Sequence, residues 1–119
     1  MREILEPWLT ERAQLKGLMG CGVRYRDESF FIPPTQHGFE RENLEHSLRC
    51  IADTFKVLKL NNLPDDYARW IYHNVLLYCL RREDGIVLGV FTSRETDAVD
   101  LEGLERMLNE FRNLKTVTS

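Results

Sequence analysis

Residues 41–61, RENLEHSLRCIADTFKVLKLN, decide the fold. Leu44, Leu48, Ile51, Phe55 and Leu58 follow one another at intervals of four, three, four and three. Each residue of an α-helix advances about 100° around the axis, so this spacing keeps all five on one side. The stretch therefore predicts a helix from Arg41 to Asn61 with a single apolar stripe. Arg41, Glu42, Glu45, Arg49, Asp53, Lys56 and Lys59 crowd the opposite side. Leu63-Pro64-Asp65-Asp66 then breaks the pattern, because proline lacks a backbone N–H and disfavours helix at the residue before it.

Upstream of this helix, residues 4–19 read as a first helix, with Pro7 tolerated in its first turn. Leu5, Trp8, Leu15, Leu18 and Met19 fall near one face, and Gly20 and Gly22 are expected to end it. Two short strands follow, Val23–Arg26 and Ser29–Ile32, joined at Asp27-Glu28 and stopped by Pro33-Pro34. Downstream comes a β-rich block: Tyr67–His73, Val75–Arg82 and Ile86–Thr92. Its turns are His73-Asn74 and Glu83-Asp84-Gly85, the second carrying the Asp-Gly hairpin signal. A last helix begins at an Asp100 N-cap, with Leu101, Leu104, Leu108 and Phe111 as its stripe and Met107 and Leu114 at the margins. The order α-β-β-α-β-β-β-α predicts an α+β fold, an α/β sandwich in which helices cover the faces of one five-stranded antiparallel sheet.

Composition narrows the function classes. The chain has 119 residues, 43% of them hydrophobic and 29% charged, which fits one folded domain of about 100–150 residues. That domain is read as residues 1–119, with its core at about 4–114 and a frayed tail at 115–119. No linker or internal repeat divides it, and a TIM barrel or multidomain enzyme is excluded by length. The 16 basic and 19 acidic residues give a net charge of -3, which argues against nucleic acid as a partner. No apolar run approaches the roughly 18–20 residues of a membrane span. Glu3, Glu6 and Pro7 stand where a signal peptide would place its apolar stretch, so a cytoplasmic location is expected. Cys21, Cys50 and Cys79 fit neither a disulfide framework nor a CxxC metal knuckle, and read as free thiols packed as small hydrophobes.

One flank of the 41–61 helix is unusual. Between the apolar stripe and the charged side runs a band of Asn43, Ser47, Cys50, Thr54, Val57 and Asn61, none charged and most small. A solvated flank normally carries Lys, Glu or Arg. The band is expected to lie either beneath the 33–40 loop or beside the first helix, or else against the same band of a second copy, where small side chains let helix axes approach. Tyr67–His73 points the same way. Tyr67, Arg69, Ile71 and His73 alternate with Ala68, Trp70 and Tyr72, so both faces of that strand are bulky. Such a strand is either interior or an edge that needs a partner.

Catalytic signatures are sparse. No GxSxG, GxxxxGK[ST] or GxGxxG occurs. His46 and Cys50 are four apart on one helix, yet no third or fourth metal ligand sits at a usable spacing in the chain, so they read as an exposed histidine and an interface thiol. His37 falls in a Pro-rich loop. Asp65-Asp66 and Glu83-Asp84 are acidic pairs in turns, where Asp bonds its own backbone. Arg81-Arg82 is a weak candidate for an acidic partner. No catalytic residue, cofactor or metal is assigned.

The order of elements resembles the roadblock/dynein light chain family. The matching stretches are Gly22–Arg26 with Phe31-Ile32-Pro33-Pro34, Leu44–Leu58, Val75–Leu80 with Ile86–Phe91, and Asp100–Leu114. The chain departs from the family in carrying Asp27-Glu28 where an Asp-Gly turn is common, and in a longer 34–43 stretch. The resemblance implies a homodimer in which the long helices pair and the third strands join two sheets. It also implies a non-enzymatic adaptor that binds or regulates a small Ras-like GTPase, with no arginine finger of its own. A secretion-chaperone-like acidic dimer is the alternative, which sheet order would tell apart. A small-molecule sensor with a polar pocket between sheet and helix is a third reading.

Overall fold

The structure is a computed structural model that describes residues 2–25, 28–32, 41–64, 66–71 and 75–114. Its elements are α1 (Arg2–Arg12), β1 (Leu18–Tyr25), β2 (Glu28–Ile32), α2 (Arg41–Leu60) and β3 (Tyr67–Ile71). Then follow β4 (Val75–Arg81), β5 (Val87–Ser93), a 3₁₀ turn (Thr96–Ala98) and α3 (Leu101–Asn113). The five strands form one antiparallel sheet in the order β2-β1-β5-β4-β3. The element order and the α+β class are those expected. Asp27, Pro33-Pro34, His37, Tyr72-His73-Asn74 and the 115–119 tail lie outside the described residues, as do the side chains of Asn43 and Leu44.

The sheet is covered on both sides. Leu76, Tyr78, Leu80, Leu88 and Val90 pack with Leu5 and Leu9 of α1 and with Leu104, Met107 and Phe111 of α3. Val75, Leu77, Cys79, Val87 and Phe91 point the other way and pack with Leu48, Ile51 and Phe55 of α2. Strands buried on both faces read as continuous apolar runs rather than alternating ones, which is why Val75–Leu80 and Ile86–Phe91 are so uniform.

The first helix is shorter than its periodicity predicts. It ends at Arg12, and Leu18-Met19 begin β1 instead of closing a helical stripe. Gly17, at φ +86°, makes the break: a Cβ there would lie 2.6 Å from the Ala98 carbonyl oxygen. The Lys16 carbonyl accepts from Asp100 N and the Gly17 carbonyl from Ser93 N, both at 3.0 Å, so tertiary bonds claim this backbone. β1 then pairs with β5 from Leu18 onward, placing Gly20 and Gly22 inside a strand rather than at a helix end. The third helix has its expected cap, with Gly103 N donating to Asp100 Oδ1 at 3.0 Å. Its core face is rotated from the expected stripe: Met107 is fully buried, while Leu101 is 47% exposed.

What fixes α2 on the sheet is a paired gap. Gly22 of β1 stands directly opposite Gly89 of β5, and Leu48 sits over both. A Cβ at Gly22 would lie 2.9 Å from Leu48 Cδ1, and one at Gly89 would lie 2.9 Å from Leu48 Cδ2. Leu48 cannot turn away from one position without meeting the other. Gly89→Ala is expected to destabilise the fold by about 1–3 kcal/mol, as overpacking does. In a Leu48→Ala background the same substitution should cost much less, a coupling that urea denaturation of the four variants reads directly.

Candidate functional site

On α2 the uncharged band faces outward in the single chain. Ser47 and Thr54 are half-buried at the margin of the stripe, and Cys50, Val57 and Asn61 are exposed. The polar tips are turned inward to their own helix: Thr54 Oγ1 donates to the Cys50 carbonyl and Asn61 Nδ2 to the Val57 carbonyl, each at 2.8 Å. Groups already bonded this way lose little when water is removed from around them. Thr54 and Val57 thus offer methyl groups on this flank beside the Cys50 thiol. Cys50 is exposed, contrary to the expectation that all three cysteines pack as hydrophobes; Cys21 and Cys79 do so, and burial pushes the Cys21 thiol up to about 12.

Past Val57 the exposed apolar side chains continue with Leu60 and Leu63, which the sequence reading missed. Val57 is 56% exposed, Leu60 82% and Leu63 52%. Leu60 lies about 180° from the stripe, and Leu63 follows a left-handed Asn62 at φ +57°. The helix ends there in a Schellman turn, with Leu63 N donating to the Leu58 carbonyl at 2.9 Å and Asn62 N to that of Lys59 at 3.1 Å. An Asn-Asn pair before a leucine was the available signal.

β3 is the outermost strand, bonded to β4 on one side, so the interior reading of Tyr67–His73 is excluded. Ala68 and Trp70 pack in the α2 layer. Tyr67, Arg69 and Ile71 stand on the other face, in register with Leu80, Tyr78 and Leu76, and remain exposed, Ile71 to 60%. The candidate residues therefore do not form one flat patch. Those of α2 lie above one face of the sheet, where the helix packs chiefly over β1 and β5, and those of β3 project from the other face at the open edge.

Among the remaining candidates, Arg82 and Asp84 have structural duties, while His37 and Asp65 lie outside the described residues. Arg82 Nη1 donates to the Phe111 carbonyl at 3.0 Å, and Nη2 pairs with Asp84 at 3.0 Å, closing the end of α3 rather than awaiting an acidic partner. Asp84 Oδ1 accepts from Ile86 N, as a turn aspartate does. Among the described residues no group of three or more His, Cys, Asp or Glu side chains comes together to hold a metal, and no helix is long and apolar enough to cross a membrane. An open groove of about 800 Å³ runs between the end of α1 and α3, flanked by Gln14, Arg106 and Asn109. Its wall is an ion pair in which Arg12 Nε and Nη2 donate to the two carboxylate oxygens of Glu110 at 2.8 and 2.7 Å.

No protein-family model matches the sequence, and no curated protein matches it either. Among solved structures, Myxococcus xanthus MglB shares the fold with a TM-score of 0.59 over 89% of this chain and 87% of that chain, at 15% sequence identity. The fold is roadblock-like. At that identity the likeness resides in the arrangement of sheet and helices, so every residue of the roadblock-like edge has to be argued from its own surroundings.

The Arg12–Glu110 pair is open to a direct test. The hydrogen bond from Arg12 holds the Glu110 carboxyl below its ordinary value of 4.5. A lowered carboxylate value stabilises the fold above the ordinary range, and that contribution disappears as pH falls through the folded-state value. Glu110→Gln should therefore cost about 0.2–1 kcal/mol at neutral pH, the size of a partly exposed pair, and nothing in strong acid. Urea unfolding of wild type and variant at both pH values checks this.

Proposed function

We propose that the chain works as a non-enzymatic homodimeric adaptor, two copies joining edge to edge through β3, and that the joined surface engages a small Ras-like GTPase. The observation that carries the dimer is the open β3 edge, which bears exposed Tyr67, Arg69 and Ile71 on one face. A two-fold axis normal to the sheet and next to β3 pairs that strand antiparallel with its copy, so that one sheet continues into the next. The same rotation keeps both α2 helices on one side, sets them antiparallel, and brings together Ser47, Cys50, Thr54, Val57, Asn61 and the adjoining Asn43. On the other side it gathers Tyr67, Arg69 and Ile71. A contact through either face alone would leave half of these side chains in water. The cover also removes an unpaired strand edge, which folded proteins rarely leave bare.

The GTPase half of the reading rests on the roadblock-like fold shared with MglB and on what the roadblock resemblance implies. An adaptor of this kind needs no catalytic group of its own, since it acts by rearranging the site of the GTPase. The shared fold favours this reading over a secretion-chaperone-like dimer. The groove between α1 and α3 lies outside the sheet–helix layers where a small-molecule sensor would hold its ligand.

Light scattering and sedimentation of the full chain at micromolar concentration should give a dimer. Val57→Glu combined with Ile71→Glu should give a monomer with an unchanged circular dichroism spectrum, because both residues are exposed in the single chain. A monomeric wild type would overturn the dimer. Ras-like GTPases encoded beside this chain's gene should bind it in one nucleotide state and hydrolyse GTP at an altered rate; failure of all of them to bind would overturn the GTPase half.

A further inference from the structure

We propose that a second copy of the chain seats on β3 in one register, with Arg69 facing its own copy across the two-fold axis and each Tyr67 packed on the partner's Ile71. The inference rests on the dimer reading above and deepens it, and its test separates the two.

The direction in which β3 offers its hydrogen bonds follows from its neighbour. Arg81 N donates to the Asp66 carbonyl at 2.9 Å, so Asp66 turns its backbone groups toward β4. These directions alternate along a strand, and the register runs residue by residue from Tyr67↔Leu80 to Ile71↔Leu76. Ala68 and Trp70 therefore also face β4. Tyr67, Arg69 and Ile71 direct their N–H and C=O groups to the edge that no strand covers among the described residues. Their side chains are exposed as well, Tyr67 to 41% and Ile71 to 60%. Pairing here needs no contact from α2, which packs chiefly over β1 and β5.

Symmetry leaves few ways to pair such an edge with its copy. Only outward-facing residues can bond one another, so the allowed registers differ by slides of two residues. With Arg69 on the axis, Tyr67, Arg69 and Ile71 all exchange both backbone groups and six bonds close. A slide in either direction drops Ile71 or Tyr67 from the ladder and closes four. Two backbone bonds are worth about tenfold in the dimer constant. The centred register also sets an aromatic against a β-branched side chain twice, covering both exposed apolar groups of the strand. Its cost is the facing pair of guanidiniums, and repulsion between exposed like charges is worth about two- to fivefold. The slide that stacks Arg69 on the partner's Tyr67 removes this repulsion, but it gives up two bonds and leaves both Ile71 side chains in water. The bonds outweigh the charge.

The test mixes the wild-type chain with Arg69→Glu at micromolar concentration and reads the dimers by native mass spectrometry. Because attraction would replace repulsion at the axis, the mixed dimer should exceed statistical mixing by about tenfold. Lys16→Glu is the control for net charge: Lys16 is exposed just ahead of β1, two strands removed from β3, and this variant should mix statistically. Tyr67→Glu and Ile71→Glu, both at exposed positions, should each weaken the dimer about tenfold by sedimentation. A dimer in which Arg69→Glu mixes statistically overturns the register and leaves the dimer standing. Tightening by Tyr67→Glu would place that residue opposite Arg69, tightening by Ile71→Glu would do the same for Ile71, and either result overturns the centred pairing. A chain that stays monomeric in light scattering overturns register and dimer together.

Discussion

The seat of Leu48 over the Gly22–Gly89 pair sets the geometry on which the rest of the molecule depends. Two strands that lack side chains at facing positions leave a hollow in the sheet, and one leucine of α2 fills it from above. With that contact fixed, Ile51 and Phe55 fall onto β4 and β5, and rotation of α2 about its axis is no longer free. The flank bearing Cys50 and Val57 is then presented outward as a consequence. Larger residues at either glycine would lift the helix, and the layer that depends on close approach would lose its density.

Much of this was legible in residues 41–61 because an amphipathic helix needs only a repeating interval to declare itself. The paired glycines were not, since Gly20 and Gly22 so close to an apolar stripe resemble a helix stop. Their meaning depends on the partner strand some seventy residues away. The same holds at Lys16 and Gly17, where bonds to Asp100 and Ser93 override a local periodicity that Leu15 and Leu18 continue faithfully. Local pattern reports local structure, and fails where long-range hydrogen bonds compete for the same backbone.

The candidate surface was legible in a different way. Absence of charge at Ser47, Cys50, Thr54 and Val57 marks an unusual flank, of which Cys50 and Val57 are exposed in the single chain. What the sequence could not convey is sidedness. Tyr67, Arg69 and Ile71 alternate with Ala68 and Trp70, yet which set meets α2 depends on the register of β3 against β4. A shift of one residue would exchange them.

The two layers are also held by different forces. On the α1 and α3 side, directional bonds fasten the elements: Arg12 to Glu110, Arg82 to Phe111, Lys16 to Asp100 and Gly17 to Ser93. From Glu45 to Leu60, α2 meets the sheet through apolar contact alone among the described residues. Dispersion and hydrophobic contact have no preferred direction, so a helix held that way tilts at lower cost than one pinned by ion pairs. One side of this molecule is braced by directional bonds, while α2 is held on the other by contacts that resist a change of tilt less.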